Sequence, residues 1–161
     1  MQTPEYPPVP PDFGNWLAGF IDGEGCFLIA RRTRREGAYP YFSPAMRLAI
    51  RADDRPALEL IQATTGIGRL YDHAGGGARN PSSAWAVNRK DDCARLVQIL
   101  DAHPLRAKKA AEYAVWRKAV LLWGTAEYGK RAPTRGCADW APLEALRLEL
   151  QGVRHYPPTS S

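Results

Sequence analysis

The chain has 161 residues, 45% of them hydrophobic and 24% charged, values that are typical of one folded domain and exclude wholesale disorder. The 22 Lys and Arg residues outnumber the 17 Asp and Glu residues, and the net charge of +5 suits a phosphate-rich partner without identifying one. Three cysteines, odd in number and widely spaced, exclude a disulfide framework and favour a reducing compartment.

The start of the sequence is rich in proline. Its first 15 residues contain five prolines and no Lys or Arg, so they do not have the pattern of a secretory signal or a basic transit peptide. We expect a bacterial-type cytoplasm or local expression inside an organelle, with no membrane partner. Residues 1–12 are predicted to form an extended arm.

A helix is predicted after this arm, capped by Asp12 or Asn15 and running to about Asp22. The next segment, Cys26–Arg35, alternates as a strand does and precedes a turn at Glu36–Pro40. The later elements, in chain order, are a strand at Tyr41–Ala52, a helix at Arg55–Thr65 with Gly66 as its C-cap, strands at Ile67–His73 and Ser83–Arg89, and helices at Asp91–Ala102 and from about Arg106 to Trp123.

This order is a ββα unit written twice behind a leading helix. Hairpins followed by helices predict an α+β domain, in which a four-stranded antiparallel sheet carries its helices on one face. We place this core at residues 13–124. It is followed by a C-terminal segment, 125–161, with a basic turn at Lys130–Arg135 and a short helix at Pro142–Gln151.

One face of the predicted sheet has an unusual set of polar side chains. It collects Arg, Tyr, Ser, His and Asn with almost no carboxylate, whereas an ordinary solvated face mixes both signs of charge. These residues are Arg32, Arg34, Tyr41, Ser43, Arg47, Arg69, Tyr71, His73 and Asn88. A two-stranded ribbon with such side chains can enter the major groove and read base edges, so we expect contact with DNA or RNA; the alternative is an ordinary wet sheet face.

The leading helix has two unlike faces. Large apolar side chains recur at helical spacing on one face and are expected to be buried, namely Phe13, Leu17 and Phe20. The other stripe has small or short side chains: Asn15, Ala18, Gly19 and Asp22. Small side chains let two helices approach closely, so the natural partner is the same helix of a second copy, related by a twofold axis.

This helix ends in the sequence Asp22-Gly23-Glu24-Gly25. In a dimer the two Glu24 carboxylates would be forced together beside the axis, which is costly unless a cation lies between them. Oxygen ligands near a phosphate suit Mg²⁺, and paired metal sites can promote in-line phosphodiester displacement. The alternative is a solvent-exposed turn, while a calcium loop is excluded because its ligand spacing is missing.

The nine residues from Leu17 to Gly25, LAGFIDGEG, resemble the LAGLIDADG motif of homing endonucleases, and the element order from Phe13 to Trp123 is similar to that family's core. The resemblance implies an αββαββα fold with a saddle-shaped antiparallel sheet. One motif in a short chain is similar to the homodimeric branch, which cuts long near-palindromic sites in double-stranded DNA. The resemblance therefore implies a homodimer, a DNA partner, Mg²⁺ as the divalent metal and no small-molecule cofactor.

The resemblance also implies roles for residues of the motif. Glu24 stands where the family keeps its metal-binding acid, and the Gly23 carbonyl joins the metal shell. Ala18 and Gly19 match the close helix contact, and Asp22 matches an acid that we interpret as mainly structural.

Two further catalytic positions follow from the resemblance. Family members carry a basic residue near the start of the last core helix, for which Lys108 is the best match and Lys109 the rival. They also often place a Gln after the second strand to hold a water; this sequence has none, and Arg51 either replaces it or binds a phosphate. The alternative functions are a catalytically silent nucleic-acid-binding protein, such as an intron maturase or transcription regulator, and a basic dimerisation module.

Overall fold

The computed structural model describes residues 4–33, 36, 40–128 and 139–154. In chain order the elements are α1 (Pro11–Glu24), β1 (Gly25–Arg32), β2 (Tyr41–Arg51), α2 (Arg55–Thr65), β3 (Arg69–His73), β4 (Ser82–Val87), α3 (Lys90–Ala102), α4 (Lys109–Trp123) and α5 (Ala141–Arg154). Short 3₁₀ turns at Ala52–Asp54 and Ala126–Tyr128 follow β2 and α4. The predicted basic turn at Lys130–Arg135 lies outside the described residues, as does Arg34.

The strands form one antiparallel sheet in the order β1-β2-β4-β3. In its register Phe27 lies opposite Met46, and Leu48 lies opposite Trp85. Each of these side chains is fully buried. The α+β fold with a four-stranded antiparallel sheet, which the order of hairpins and helices predicted, is therefore confirmed in the described residues.

The described helices pack on one face of this sheet. Two tryptophans anchor the covered face, because each buries its ring and still donates its indole N–H. Trp85 Nε1 donates to the Ile67 carbonyl at 2.9 Å, and Trp116 Nε1, from α4, donates to the Ala45 carbonyl at 2.9 Å. The opposite face, hereafter the outer face, carries the alternate strand positions.

Helix α1 begins earlier than predicted and ends later. Pro11 occupies the first turn, where its missing N–H is not needed, and Pro10 is the N-cap residue with no side-chain hydrogen bond. The predicted cap by Asp12 or Asn15 is therefore wrong, since both residues lie inside the helix. The helix continues through Glu24 before β1 begins.

The boundaries of α2 agree with the prediction, whereas those of β4 do not. Gly66 ends α2 with a left-handed φ of 72°, and its N–H donates to the Gln62 carbonyl at 2.9 Å. A side chain at such a φ is strained, which explains the glycine. Strand β4 ends at Val87, so Asn88 lies beyond the strand and is exposed.

The two ends of the described chain pack onto this core. The Tyr6 hydroxyl donates to Asp92 at 3.3 Å, and Arg95 donates to the Pro7 carbonyl at 2.9 Å. Leu143 and Leu150 of α5 are buried in the same hydrophobic cluster as the sheet. In the described part of the chain no helix has both the length and the apolar character needed to cross a bilayer.

Candidate active site and nucleic-acid interface

The chain passes directly from α1 into β1, and this junction exposes the end of the motif. Gly25 has extended backbone (φ −73°, ψ 155°), and a Cβ placed there would lie 2.8 Å from the Ile21 carbonyl oxygen. Glycine is therefore required for so abrupt a change from helix to strand. Gly23 and Glu24, immediately before it, are both exposed.

A lysine from α4 lies against the carboxyl end of α1. Lys109 Nζ is 3.3 Å from the Asp22 carbonyl oxygen and 3.4 Å from the Gly23 carbonyl oxygen. The carbonyls at a helix end carry partial negative charge, so they attract a cation. Lys109, the rival in the sequence analysis, thus contacts the motif; Lys108 is exposed at the N-cap of α4.

Asp22 connects the motif to the segment before α4. Its Oδ2 accepts the backbone N–H of Arg106 at 2.8 Å and that of Ala107 at 3.2 Å. Both donors lie just ahead of the helix that carries Lys109, so this carboxylate fixes where that helix begins. These contacts agree with a mainly structural role for Asp22.

The oxygens exposed at this junction suit a hard divalent cation. The Glu24 carboxylate and the Gly23 carbonyl are both of the ligand type that Mg²⁺ prefers, and the Lys109 ammonium shows that the carbonyl is accessible to a cation. Within the described residues no group of three or more His, Cys, Asp or Glu side chains could hold a metal. The donor chemistry therefore fits, with two oxygens from this chain.

The exposed face of α1 differs from the predicted small stripe. Ala18 is only 4% exposed and lies in the core, so its side chain gives almost no surface to a second helix, which corrects that prediction. Gly19 and Gly23 are exposed, and a Cβ added at either would meet nothing within 4 Å. Asp22 is half-buried, and its Oδ2 accepts the two backbone hydrogen bonds described above.

Next to these glycines is an aromatic cluster that the sequence analysis did not single out. The ring of Trp16, a side chain that is 41% exposed, stacks on Phe20 at 5.2 Å between centroids and lies 5.4 Å from Phe13. Phe13 and Phe20, predicted to be buried, are only partly so. Trp16 is three residues before Gly19, and this helical spacing was the signal available in the sequence.

The outer face of the sheet brings together most of the predicted nucleic-acid-binding residues. Arg47, Ala86 and Arg69 are adjacent in the ladder, as are Ala49, Ala84 and Tyr71. The remaining predicted members in the strands are Arg32, Tyr41, Ser43 and His73, all at outward positions. The outward positions of the described strands include no Asp or Glu, so this face is basic.

Arg51 lies at the end of β2 and forms an ion pair with Asp53, two residues further along the chain. Its guanidinium donates to both carboxylate oxygens of Asp53, at 3.2 and 2.8 Å. The side chain is 76% exposed, and an ion pair in solvent contributes little to stability. A phosphate could therefore take the place of Asp53.

The loop between β3 and β4 borders a hollow of about 630 Å³ on the outer face. The polar and charged residues that line it are Arg47, Asp72, His73, Arg79, Asn80 and Ser82. Gly75 and Gly77 have positive φ, which lets the loop turn back so that Gly76 pairs with Arg79. Arg79 is a basic side chain that the sequence analysis missed.

The base of this loop is held by the Asp72 carboxylate, which also lines the hollow. Asp72 accepts hydrogen bonds from the Ser83 hydroxyl at 2.7 Å and from Arg55 Nε at 3.0 Å. Both hydrogen bonds lower the pKa of Asp72, and the one from Ser83 has the larger effect. The strands that border the hollow are thereby fixed relative to α2.

Comparison with known proteins identifies the family. Residues 17–120 match the family model described as LAGLIDADG endonuclease. The chain belongs to the LAGLIDADG endonuclease family. It is 26% identical over 148 residues to the probable intron-encoded endonuclease Cox1-I1b of Schizosaccharomyces pombe, covering 92% of this chain and 36% of that relative. This LAGLIDADG chain thus spans just over a third of that relative's length.

Solved structures of two homing endonucleases have the same fold. The archaeal intron-encoded homing endonuclease I-Vdi141I, complexed with DNA, matches with a TM-score of 0.69 at 19% identity, over 91% of this chain and 88% of that one. The homing endonuclease I-TnaI matches with a TM-score of 0.61 at 20% identity, over 88% of this chain and 97% of that one. The predicted family and fold are confirmed.

Proposed function

We propose that this chain is a site-specific DNA endonuclease in which two copies act together, each cutting one strand of a near-palindromic site. The observation that carries the proposal is the position of Glu24, an exposed carboxylate at the helix end whose neighbouring carbonyl, that of Gly23, contacts the Lys109 ammonium. A carboxylate and a cation beside a basic surface are the groups that phosphodiester hydrolysis needs.

The outer face supports double-stranded DNA as the substrate. Arginine reads guanine in the major groove through two hydrogen bonds, and it also binds phosphate. The proposed contacts are Arg32, Arg34, Tyr41, Ser43, Arg47, Arg69, Tyr71, His73 and Asn88. The small side chains of Ala49, Ala84 and Ala86 lie among them in the ladder.

The exposed stripe of α1 supports pairing of two copies. Gly19 and Gly23, four residues apart on one helical face, offer no side chain to hold a second helix away. Trp16 supplies apolar area beside them. A twofold axis at this stripe would bring the two copies of Glu24 near each other, because Glu24 follows Gly23 directly.

The catalytic roles follow from the contacts at the junction. Glu24 and the Gly23 carbonyl would hold the divalent metal that LAGLIDADG endonucleases generally use, and Mg²⁺ fits these hard oxygens. Such an ion, when bound, lowers the pKa of water and offsets charge on the phosphate. Lys109 would donate to a phosphate oxygen as negative charge develops. Lys108 and Arg51, both exposed, would bind flanking phosphates.

The test uses Glu24→Gln with Glu144→Gln as a matched control on the exposed side of α5. Glu24→Gln should abolish Mg²⁺-dependent cleavage of a selected duplex while binding in Ca²⁺ persists, and Glu144→Gln should cut normally. Mixing wild-type and Glu24→Gln chains should give nicks in one strand, because each copy supplies one acid. Cleavage at the wild-type rate by Glu24→Gln would refute the assignment.

The pairing of Arg51 with Asp53 favours a second function, nucleic-acid binding without cleavage. Arg51 occupies the place where a water-positioning Gln was expected, and its guanidinium is hydrogen-bonded to the Asp53 carboxylate. A protein of this kind would bind DNA or RNA equally well in Mg²⁺ and Ca²⁺ and cut neither. The experiment on Glu24 separates the two functions.

A further inference from the structure

Two of the outer-face residues contact each other across the sheet. Arg47 Nη2 of β2 lies 2.8 Å from His73 Nε2 of β3. Strand β4 separates the two strands, and its outward positions carry only Ser82, Ala84 and Ala86. Short side chains between the two residues let the arginine extend over the strand to the histidine.

The chemistry of the two groups fixes their roles. A guanidinium has five N–H donors and no acceptor, so His73 Nε2 must accept and its proton must be on Nδ1. One N–H of Arg47 is used in this bond. The others remain free to form the two parallel hydrogen bonds by which arginine recognises the O6 and N7 atoms of guanine.

The surroundings leave room for a base edge. Both side chains are exposed, and both line the hollow of about 630 Å³ that Arg79 and Asn80 border on the loop side. An arginine without a partner would lose rotamer freedom when it binds a base. One that is already held in place loses less, and binding is correspondingly tighter and more selective.

We propose that His73 is a positioning residue, which holds Arg47 in the hollow so that Arg47 reads a guanine at one position of each half of the DNA site. The inference rests on the proposed function. It assigns His73 an effect on base preference through Arg47, instead of an independent base contact.

The experiment measures base preference with the full chain in Ca²⁺, where binding is read without cleavage. The probe is a pool of duplex oligonucleotides, each carrying a selected near-palindromic site with one base pair varied, and the bound fraction is sequenced. The variants are Arg47→Gln, His73→Ala, His73→Gln and the double variant Arg47→Gln/His73→Ala. Lys118→Gln is the matched control, because Lys118 is an exposed side chain of α4, the helix that packs on the covered face of the sheet.

The wild type should prefer guanine at one position of each half-site by about tenfold, the range of a bidentate arginine contact. Arg47→Gln and His73→Ala should both lose that preference at the same position. His73→Gln should retain most of it, because its amide oxygen can accept from Arg47. The double variant should match Arg47→Gln alone, since His73 acts through that residue.

The inference is overturned if His73→Ala keeps the wild-type preference everywhere, or loses it at a position different from that of Arg47→Gln. A wild-type protein that binds every duplex equally would refute the proposed function itself. Equal thermal midpoints for wild type and His73→Ala would establish that the comparison concerns folded proteins.

Discussion

Alanine substitutions at two glycines of α1 separate packing inside one chain from packing between two. At Gly14 a Cβ would lie 2.3 Å from the imidazole of His103, whose Nδ1 is 3.2 Å from Asn15 Oδ1. At Gly19 a Cβ would meet nothing within 4 Å. The same chemical change in the same helix should therefore raise the free energy of unfolding at Gly19 and leave it unchanged or lower it at Gly14.

The magnitudes follow from helix propensity and from overpacking. Gly→Ala in a helix interior stabilises by about 1 kcal/mol when space allows, so Gly19→Ala should raise the thermal midpoint of the single chain by roughly 2–4 °C. In Gly14→Ala the clash with His103 costs about 1–3 kcal/mol, which cancels or exceeds that gain. Gly19→Ala should nevertheless weaken the association of two chains, because the added methyl group holds their helices apart.

The assay combines unfolding measured at protein concentrations too low for association with sedimentation at higher concentrations. We expect Gly19→Ala to unfold at a higher temperature than wild type, to dimerise at least tenfold more weakly, a change of about 1.4 kcal/mol, and to cut DNA poorly. Unchanged association and cleavage in a stabilised Gly19→Ala would refute the placement of a second copy on this face.

Three other predictions concern Asp22, Asp101 and the cysteines. Asp22→Ala should reduce cleavage about tenfold or more with little change in DNA affinity, because the backbone N–H groups of Arg106 and Ala107 lose their acceptor. Cleavage kinetics and a binding titration would check this. Equal losses of cleavage and of affinity would contradict it. Hydrogen bonds from Arg117 lower the pKa of Asp101, so the stability that this pair contributes is present above the usual carboxyl range and is lost as the pH falls through the lowered pKa. In an acid-unfolding experiment, Asp101→Asn should not show that loss of stability. An acid-unfolding profile of the variant identical to that of the wild type would contradict this prediction. Burial raises the pKa of Cys93 to about 12, whereas Cys26 is exposed. In a variant that keeps only these two cysteines, an alkylating reagent at neutral pH should therefore label Cys26 alone, which peptide mass spectrometry would detect. Rapid labelling of Cys93 would contradict this prediction.

Local chemistry explains why some elements could be predicted from the sequence. The boundaries of α2 are set by neighbours in the chain, since Gly66 supplies the left-handed residue that ends the helix. The alternation of Phe27, Ile29, Met46 and Leu48 likewise determines which strand faces are buried. These features depend on spacing within one element.

The features that the sequence did not settle depend on contacts between elements. Lys108 and Lys109 differ by about 100° around a helix, and only the position of α4 decides which of them faces the motif. That position is fixed by the Asp22 carboxylate, a residue 84 positions away from its Arg106 partner. Ala18 faces the core for a similar reason, because the burial of Leu17 and Ile21 sets the orientation of α1 about its axis.

The central claim, that paired copies cut DNA through Glu24, is tested most directly by a cleavage selection. The purified chain would be incubated with a library of randomised near-palindromic duplexes in Mg²⁺, beside Glu24→Gln, and the cut ends sequenced. We expect one long, twofold-symmetric site to be enriched by the wild type alone, with chelation of the metal abolishing the cut. A site without twofold symmetry, or the same products from Glu24→Gln, would contradict that claim.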